Sequence, residues 1–167
     1  VFQVVNARGA TPAVDPGWAL ESAIDTEWAH AMAPGAKIVL VQASSNSFVD
    51  LFQAVDVARN LPGVKQVSMS WGGAEFSQQT IFEPLFNKPG VLFFAGAGDT
   101  GGQTAYPSTS PQVIACGGTR INRTARGHFI SETGWSSGGG GQSVFFSIPS
   151  YQAARSEVVA KVGASRG

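Results

Sequence analysis

Two acidic residues one helical turn apart are the first candidates for chemistry in this sequence. Glu21 and Asp25 lie in the segment ESAID, so they share a face if the segment is a helix. Two carboxyl groups that close repel each other, and one should hold its proton to a higher pH than usual. Such a pair can act as a base with a partner that shares its proton. On spacing alone, a solvated acidic face near a helix N-terminus is the commoner role.

A third candidate, Asp99, lies in a glycine-rich stretch directly after an apolar run. Residues 96–101, GAGDTG, match the G-x-G-x-x-G fingerprint of dinucleotide-binding proteins, which needs a helix after the glycines and an acid about 20 positions on. Residues 102–111 instead contain two prolines, and no acid follows until Glu132. We therefore predict a loop at the carboxyl end of a parallel strand, whose apolar setting favours the neutral form of Asp99.

Other catalytic arrangements have less support. The chain has two histidines, His30 and His128, and neither lies beside small residues in a loop, as a triad base usually does. A nucleophilic enzyme would therefore use a carboxylate as its base. A glycosidase would need its two acids about 5 to 9 Å apart across a cleft, whereas Glu21 and Asp25 are adjacent on one face. With His30, the same pair has no recognised metal-ligand spacing.

Five short apolar runs supply the strands that must position these residues. They are largely continuous rather than alternating, which is typical of strands buried on both faces of a parallel sheet. The runs are FQVV (2–5), KIVLVQA (37–43), VKQVSMS (64–70), VLFFA (91–95) and QVIAC (112–116). The last one ends in the single cysteine, Cys116, which we expect to be buried.

Helical patterns separate most of these runs and predict an α/β fold. The helices are expected at 18–33, at 47–60 with Ser47 as N-cap, and at 77–87, each followed by a Pro-Gly pair. After Cys116 we expect a hairpin with its turn near Arg126-Gly127, then a glycine-rich loop at 136–143. Ser150 is expected to cap a further helix.

Length and charge narrow the class of protein. The 167 residues suit one domain, 1–167, and 11 basic residues balance 11 acidic ones. This balance gives no reason to expect a nucleic acid or an anionic membrane as partner. No apolar run approaches the roughly 18 residues of a membrane span. No signal peptide is visible, and both ends look like cuts within a longer domain.

Five segments together resemble the sedolisins, the serine-carboxyl peptidases with a subtilisin-like fold. The resemblance extends along nearly the whole chain, with the segments in the family's order. They are LESAIDTEWAHAMAPGAKIVLVQA (20–43), VSMSWGG (67–73), FFAGAGDTGG (93–102), YPSTSPQVIACGGTRI (106–121) and TGWSSGGGGQSVFFSIPSYQ (133–152). The resemblance implies a subtilisin-like α/β fold, a parallel sheet with helices on both faces, truncated at both ends.

The resemblance also implies an endopeptidase that works at acid pH. Glu21 would take the proton of a serine, Asp25 would hold Glu21, and Asp99 would donate to the oxyanion. The family's substrate-binding strand end matches four residues: Ser70, Trp71, Gly72 and Gly73. The family's nucleophile lies in a G-T-S-x-x-x-P loop, which residues 1–167 lack. The chain alone is therefore expected to be inactive, and the missing C-terminal segment is an expected partner.

Further expectations follow from the same resemblance. They are peptide or protein substrates, secretion, no metal or cofactor in residues 1–167, and calcium in the part of the full domain outside them. Trp71 is expected to form a subsite wall, although a core position also suits it. The alternative function is a non-catalytic relative or half-domain that binds peptides through Ser70–Gly73, since extended peptides bind by strand addition.

Overall fold

The computed structural model describes the whole chain, Val1–Gly167. The chain packs as two compact units. Unit 1 comprises residues 1–70 and 88–91, and unit 2 comprises residues 71–87 and 92–167. The prediction of one domain over residues 1–167 stays a prediction.

Unit 1 is built on a parallel strand pair. β1 (Phe2–Asn6) pairs with β2 (Ile38–Gln42) in parallel. Parallel neighbours need a crossover, which here contains α1 (Pro16–Met32). α2 (Phe48–Asn60) and β3 (Gln66–Met69) follow, and both helices pack on β2.

Local sequence explains where the two helices of unit 1 begin. Asp15 caps α1, because its Oδ1 accepts hydrogen bonds from the backbone N–H groups of Gly17 at 2.9 Å and Trp18 at 3.1 Å. Ser47 caps α2 as predicted, with Oγ accepting from the Asp50 N–H at 3.2 Å. α2 buries Phe52 and Val55, which lie on one helix face.

Unit 2 contains a second parallel pair and a hairpin. β4 (Leu92–Gly96) pairs with β5 (Val113–Cys116) in parallel, and β6 (Thr119–Arg123) pairs with β7 (Phe129–Gly134) in antiparallel. The hairpin turn is at the predicted place, since Gly127 has a φ of 82°. α3 (Glu83–Phe86), α4 (Ser150–Ala153) and α5 (Ser156–Val162) are short. The predicted α/β class with parallel strands is confirmed.

An aromatic cluster forms the core of unit 2. Tyr106 is fully buried and meets the rings of Phe76 and Phe86 edge to face, with centroids 5.8 and 6.2 Å away. Phe86 contacts the buried Phe93 of β4 in the same way at 5.7 Å. This packing fixes the segment after residue 70 against the strand that leads to Asp99.

The predicted helix at 77–87 is wrong as a single element. The structure has a 3₁₀ turn at Gln79–Phe82 followed by the four-residue α3. Pro84 explains the difference, because it has no N–H to donate to the carbonyl four residues earlier. Pro84 is accommodated within the first turn of α3, where no intrahelical donor is needed.

Burial also differs from the prediction along the strands. β3 and β4 bury alternate residues, such as Val67 and Met69, so they are not covered on both faces throughout. Cys116 is exposed, contrary to the prediction, and Val113 is the only buried residue of β5. Ser150 is the first residue of α4 rather than its cap, and Pro149 occupies the cap position. None of the helices combines the length and apolar character needed to cross a membrane.

Candidate active site

The acidic pair lies on successive turns of α1 in unit 1. Glu21 and Asp25 are both half-buried, whereas Glu27 of the same helix is exposed. The helix face that carries the pair is therefore partly covered by the protein. This partial burial distinguishes the pair from a fully solvated acidic face.

Ser70 holds one member of the pair. Its Oγ donates a hydrogen bond of 2.6 Å to Oδ1 of Asp25. Ser70 directly follows β3, and its side chain belongs to the same face as the exposed Ser68, opposite the buried Val67 and Met69. A hydroxyl-to-carboxylate bond of this length is among the stronger hydrogen bonds in proteins. It fixes the carboxyl group of Asp25 relative to the strand end.

The family resemblance assigns Ser70 to substrate binding, and no sequence motif connects it with Asp25. The two residues are 45 positions apart, and no local pattern links them. The only available signal was the order of elements, because a βαβ crossover brings helix faces against strand ends.

The glycines around Asp99 in unit 2 serve close contacts between loops. Gly98 has a φ of 103°, a region that side chains rarely adopt. A Cβ on Gly101 would lie 2.5 Å from the Ser136 carbonyl oxygen. The glycine-rich loop, residues 136–143, is tied to the Asp99 loop by the Gly139 N–H, which donates to the Gly98 carbonyl at 2.7 Å. No helix opens after Gly101, in agreement with the rejection of a dinucleotide site.

Asp99 itself is exposed. The apolar setting that the sequence predicted for its side chain is not found, since the buried residues before it, Ala95 and Ala97, belong to the strand and its end. The turn carries Asp99 out of the apolar run and into solvent. The expectation of poor solvation is therefore wrong for this chain.

The predicted substrate-binding strand end makes one defined pairing. Both backbone groups of Gly73 bond to Tyr106, with N–H to O at 3.0 Å and O to N–H at 2.8 Å. Gly72 is exposed, and no residue of the chain bonds to its backbone groups. A Cβ on Gly72 would lie 3.1 Å from the Tyr106 carbonyl oxygen, so a side chain is disfavoured there. Trp71 is half-buried, which suits either of its expected roles.

Tyr106 is itself held by polar contacts that sequence analysis missed. Its hydroxyl donates to Oε1 of Glu83 at 3.1 Å, and the Ser110 hydroxyl donates to Oε2 at 2.7 Å. Burial raises the pKa of Glu83, although both hydrogen bonds act in the opposite direction. Burial and the nearby Glu83 carboxylate raise the pKa of Tyr106. The partner of Gly73 is therefore a rigid part of unit 2.

The residues of this chain do not fit a metal site. No three acidic, histidine or cysteine side chains come together, and His30 and His128 are both exposed. We therefore assign no step to calcium. The calcium expected from the resemblance concerns residues outside this chain and stays a prediction.

Comparison with known proteins gives the family. The subtilase family model matches residues 17–161, which include α1 except its first residue, all the strands after β1 and the loop that carries Asp99. The chain belongs to the subtilase family. Within that family it belongs with the sedolisins, because kumamolisin and sedolisin are among the proteins similar to it.

Two curated relatives are similar to this subtilase chain. Kumamolisin of Bacillus sp. (strain MN-32) is 37% identical in an alignment that is 175 residues long. This alignment covers 89% of this chain and 31% of kumamolisin. Sedolisin of Pseudomonas sp. (strain 101) is 30% identical over 146 residues, which cover 68% of this chain and 25% of sedolisin. The chain thus spans a quarter to a third of the relatives' length.

A solved structure agrees with the fold. It is Pseudomonas sedolisin, a serine-carboxyl proteinase, complexed with two molecules of pseudo-iodotyrostatin. The match has a TM-score of 0.79 at 25% identity and covers 99% of this chain and 54% of the solved chain. The predicted subtilisin-like fold and the sedolisin resemblance are confirmed.

Proposed function

We propose that the protein that contains this chain is a serine-carboxyl endopeptidase that hydrolyses peptide bonds at acid pH. The observation that carries the proposal is the hydrogen bond from Ser70 to the half-buried Asp25. A solvated acidic face would not need a hydroxyl from a strand 45 residues away. The subtilase family and the sedolisin-type relatives support the same class of activity.

The proposed roles divide a proton relay among side chains of unit 1. A serine hydroxyl is a weak nucleophile until a base removes its proton, and we assign that role to Glu21. Asp25 shares a proton with Glu21 and stabilises its orientation, as coupled carboxyl groups do. Ser70 holds Asp25 in turn. The nucleophilic serine belongs to the G-T-S-x-x-x-P motif, which residues 1–167 do not contain, so the chain alone is proposed to be inactive.

Asp99 is proposed to donate a hydrogen bond to the oxyanion of the tetrahedral intermediate. Donors aimed at that oxygen stabilise the transition state. A carboxyl group can donate only when it is protonated, so this role requires acid pH. The resemblance assigns Asp99 to this role, and the glycines around it supply the turn that presents the side chain to solvent.

The proposed ligand is an extended peptide at the strand end Ser70–Gly73. Gly72 supports this assignment, because its backbone groups have no partner in the chain. Trp71 would then border a side-chain subsite. Secretion is proposed from the sedolisin resemblance alone.

The test is a peptide-cleavage assay at acid pH on the full-length protein. We expect Glu21→Gln to lower kcat by about 10²- to 10⁴-fold, which is the usual contribution of a general base. Glu27→Gln is the matched control, because it removes the same charge from an exposed site on the same helix. Full activity of Glu21→Gln would show that Glu21 is not the base.

The second candidate function is a non-catalytic relative that binds peptides. The open backbone groups of Gly72 favour it as much as they favour a peptidase. The two functions differ in one feature of the full-length protein, the G-T-S-x-x-x-P serine loop. A protein without that loop that binds peptides and cleaves none would establish the second function.

A further inference from the structure

A half-buried carboxylate in unit 2 accepts four hydrogen bonds. Oε1 of Glu75 accepts from the Ser143 hydroxyl at 2.6 Å and from the Gln79 side-chain amide at 3.1 Å. Oε2 accepts from the Thr104 hydroxyl at 3.1 Å and from the Val144 N–H at 3.2 Å. Neither sequence motifs nor the family resemblance drew attention to this residue.

The four donors come from three separate segments of unit 2. Gln79 belongs to the 3₁₀ turn after Glu75, Thr104 belongs to the loop after Asp99, and Ser143 ends the glycine-rich loop. Gln79 is fully buried, and its Oε1 also accepts from the Phe76 N–H at 2.9 Å. Glu75 is thus the common acceptor that joins these segments.

Ser143 extends the same network into the chain that follows it. Its side chain is almost fully buried, and Oγ accepts from the N–H groups of Phe145 at 3.2 Å and Phe146 at 3.0 Å. Since the hydroxyl proton goes to Glu75, the two lone pairs are free to accept these bonds. The conformation of residues 143–146 therefore depends on an acceptor at Glu75.

The tied segments border an open groove of about 330 Å³. Its walls include Ala74, Glu75, Thr104, Gly141 and Val144. The same two loops are also joined beside Asp99, where Gly140 N–H donates to the Gln103 carbonyl at 2.8 Å. Glu75 thus fixes both walls of a groove that begins next to the strand end at Gly73.

The network requires a charged acceptor. An ionised carboxylate has room for about four hydrogen bonds and donates none, which suits four donors. A glutamine in its place would direct its NH₂ group at two of them. Burial alone would raise the pKa of Glu75, but hydrogen bonds, those from Ser143, Gln79 and Val144 foremost, outweigh it and lower the pKa. The carboxylate therefore stays charged into the acid range.

We propose that Glu75 is a positioning residue for a peptide side-chain subsite. It holds the two walls of that subsite, which are residues 100–104 after Asp99 and the end of the glycine-rich loop at Ser143. The proposal rests on the proposed peptidase function for the identity of the ligand. The four contacts saturate the carboxylate, so Glu75 acts on the substrate through the walls and does not bind a cationic side chain itself.

The first test does not depend on activity. Amide hydrogen exchange is compared among the wild type, Glu75→Gln and the control Glu83→Gln, using the full-length protein. The control removes a second half-buried glutamate of unit 2 that does not contact these loops. We expect Glu75→Gln to speed exchange at least tenfold in 100–104 and 140–146, with β1 and β2 unchanged. Unchanged loops, or equal acceleration throughout the chain, would overturn the proposal.

The second test uses peptide cleavage. We expect Glu75→Gln to raise KM about tenfold with kcat changed less than threefold, and Glu157→Gln, at an exposed glutamate of α5, to change neither. The wild-type KM should rise towards the mutant value as pH falls through the lowered pKa of Glu75. A fall in kcat at constant KM would overturn the assignment to a subsite. If the wild type cleaves no peptide, the proposed function fails while the exchange test still decides the role of Glu75.

Discussion

The hydroxyl group of Ser70 bears on two interpretations of the acidic pair in α1. The spacing of Glu21 and Asp25 allows both a solvated face and a catalytic pair. The bond from Ser70 shows that Asp25 is part of an organised contact. A residue first assigned to substrate binding therefore acts on the acidic pair through its side chain.

Replacement of Ser70 by alanine should lower the stability of unit 1. We expect a loss of about 1–2 kcal/mol in the free energy of unfolding, because the half-buried Asp25 loses its donor. Ser68→Ala is the matched control on the same strand, where the side chain is exposed, and should change stability by less than about 0.5 kcal/mol. Urea unfolding measures both, and equal effects would mean that the bond contributes nothing.

At the scale of elements, the glycine-rich loop owes its path to the space that glycine leaves. A Cβ on Gly139 would overlap the Ala97 carbonyl group, which lies at the end of β4. The loop can thus approach the turn before Asp99 only without a side chain at this position. This close approach is what allows the Gly139–Gly98 hydrogen bond.

Gly139→Ala should therefore destabilise unit 2 by about 1–3 kcal/mol, the usual cost of forcing extra atoms into a packed site. Gly117→Ala is the control. A Cβ there meets nothing within 4 Å, so we expect no loss or a gain of up to about 1 kcal/mol. Thermal unfolding measures the difference. A Gly139→Ala variant as stable as the control would show that the loop can move away without cost.

Much of the fold was predictable because local signals agreed with tertiary structure. The five strands, α1 and α2 lie where apolar runs and breakers placed them, and Ser47 caps α2 as expected. The predicted helix at 77–87 was wrong because Pro84 interrupts the helical hydrogen bonds. The prediction relied on the helical spacing of apolar residues and gave too little weight to this proline.

The site was less predictable, since its decisive contacts join distant positions. Motif matching identified Glu21, Asp25 and Asp99 as candidates, but it could not show that Ser70 bonds to Asp25 or that Glu75 meets Ser143, 68 positions away. Burial of Asp99 was also mispredicted, because the direction of a turn depends on packing that composition does not encode. Contacts between positions so far apart depend on the tertiary fold, and local sequence patterns do not reveal them.

For the whole molecule, charge contributes little to stability except at buried sites. The ion pairs Arg8–Asp50 and Arg59–Asp56 each have an exposed member, so solvent screens them and they add little to stability. The net formal charge is zero, so overall repulsion is small near neutral pH. The pH dependence of stability should instead come chiefly from the half-buried Glu75 and Glu83. Asp50, whose pKa the hydrogen bond from Ser45 lowers, should add to the acid side.

These two glutamates should act in opposite directions. The folded state raises the pKa of Glu83, so its contribution is fully present below the ordinary glutamate pKa and is lost as pH rises through the raised value. The folded state lowers the pKa of Glu75, so its contribution is present above the ordinary value and is lost as pH falls through the lowered one.

Urea midpoints measured across the acid and neutral range check this prediction. Glu83→Gln should remove the decline on the neutral side. Glu75→Gln should reduce the decline on the acid side, where Asp50 still contributes, while lowering stability above it. If either variant keeps the wild-type profile, the assignment of that limb to its glutamate is wrong.

The pairing of Gly73 with Tyr106 has a consequence for how selective a bound peptide would have to be. Both backbone groups of Gly73 are bonded to Tyr106. The neighbouring Gly72 can therefore offer a bound peptide one donor, its N–H, and one acceptor, its carbonyl oxygen. Two hydrogen bonds at about 1 kcal/mol each change an affinity by only about thirtyfold. Main-chain contacts at this point would therefore be too weak to retain an arbitrary sequence, and discrimination among peptides must come from their side chains.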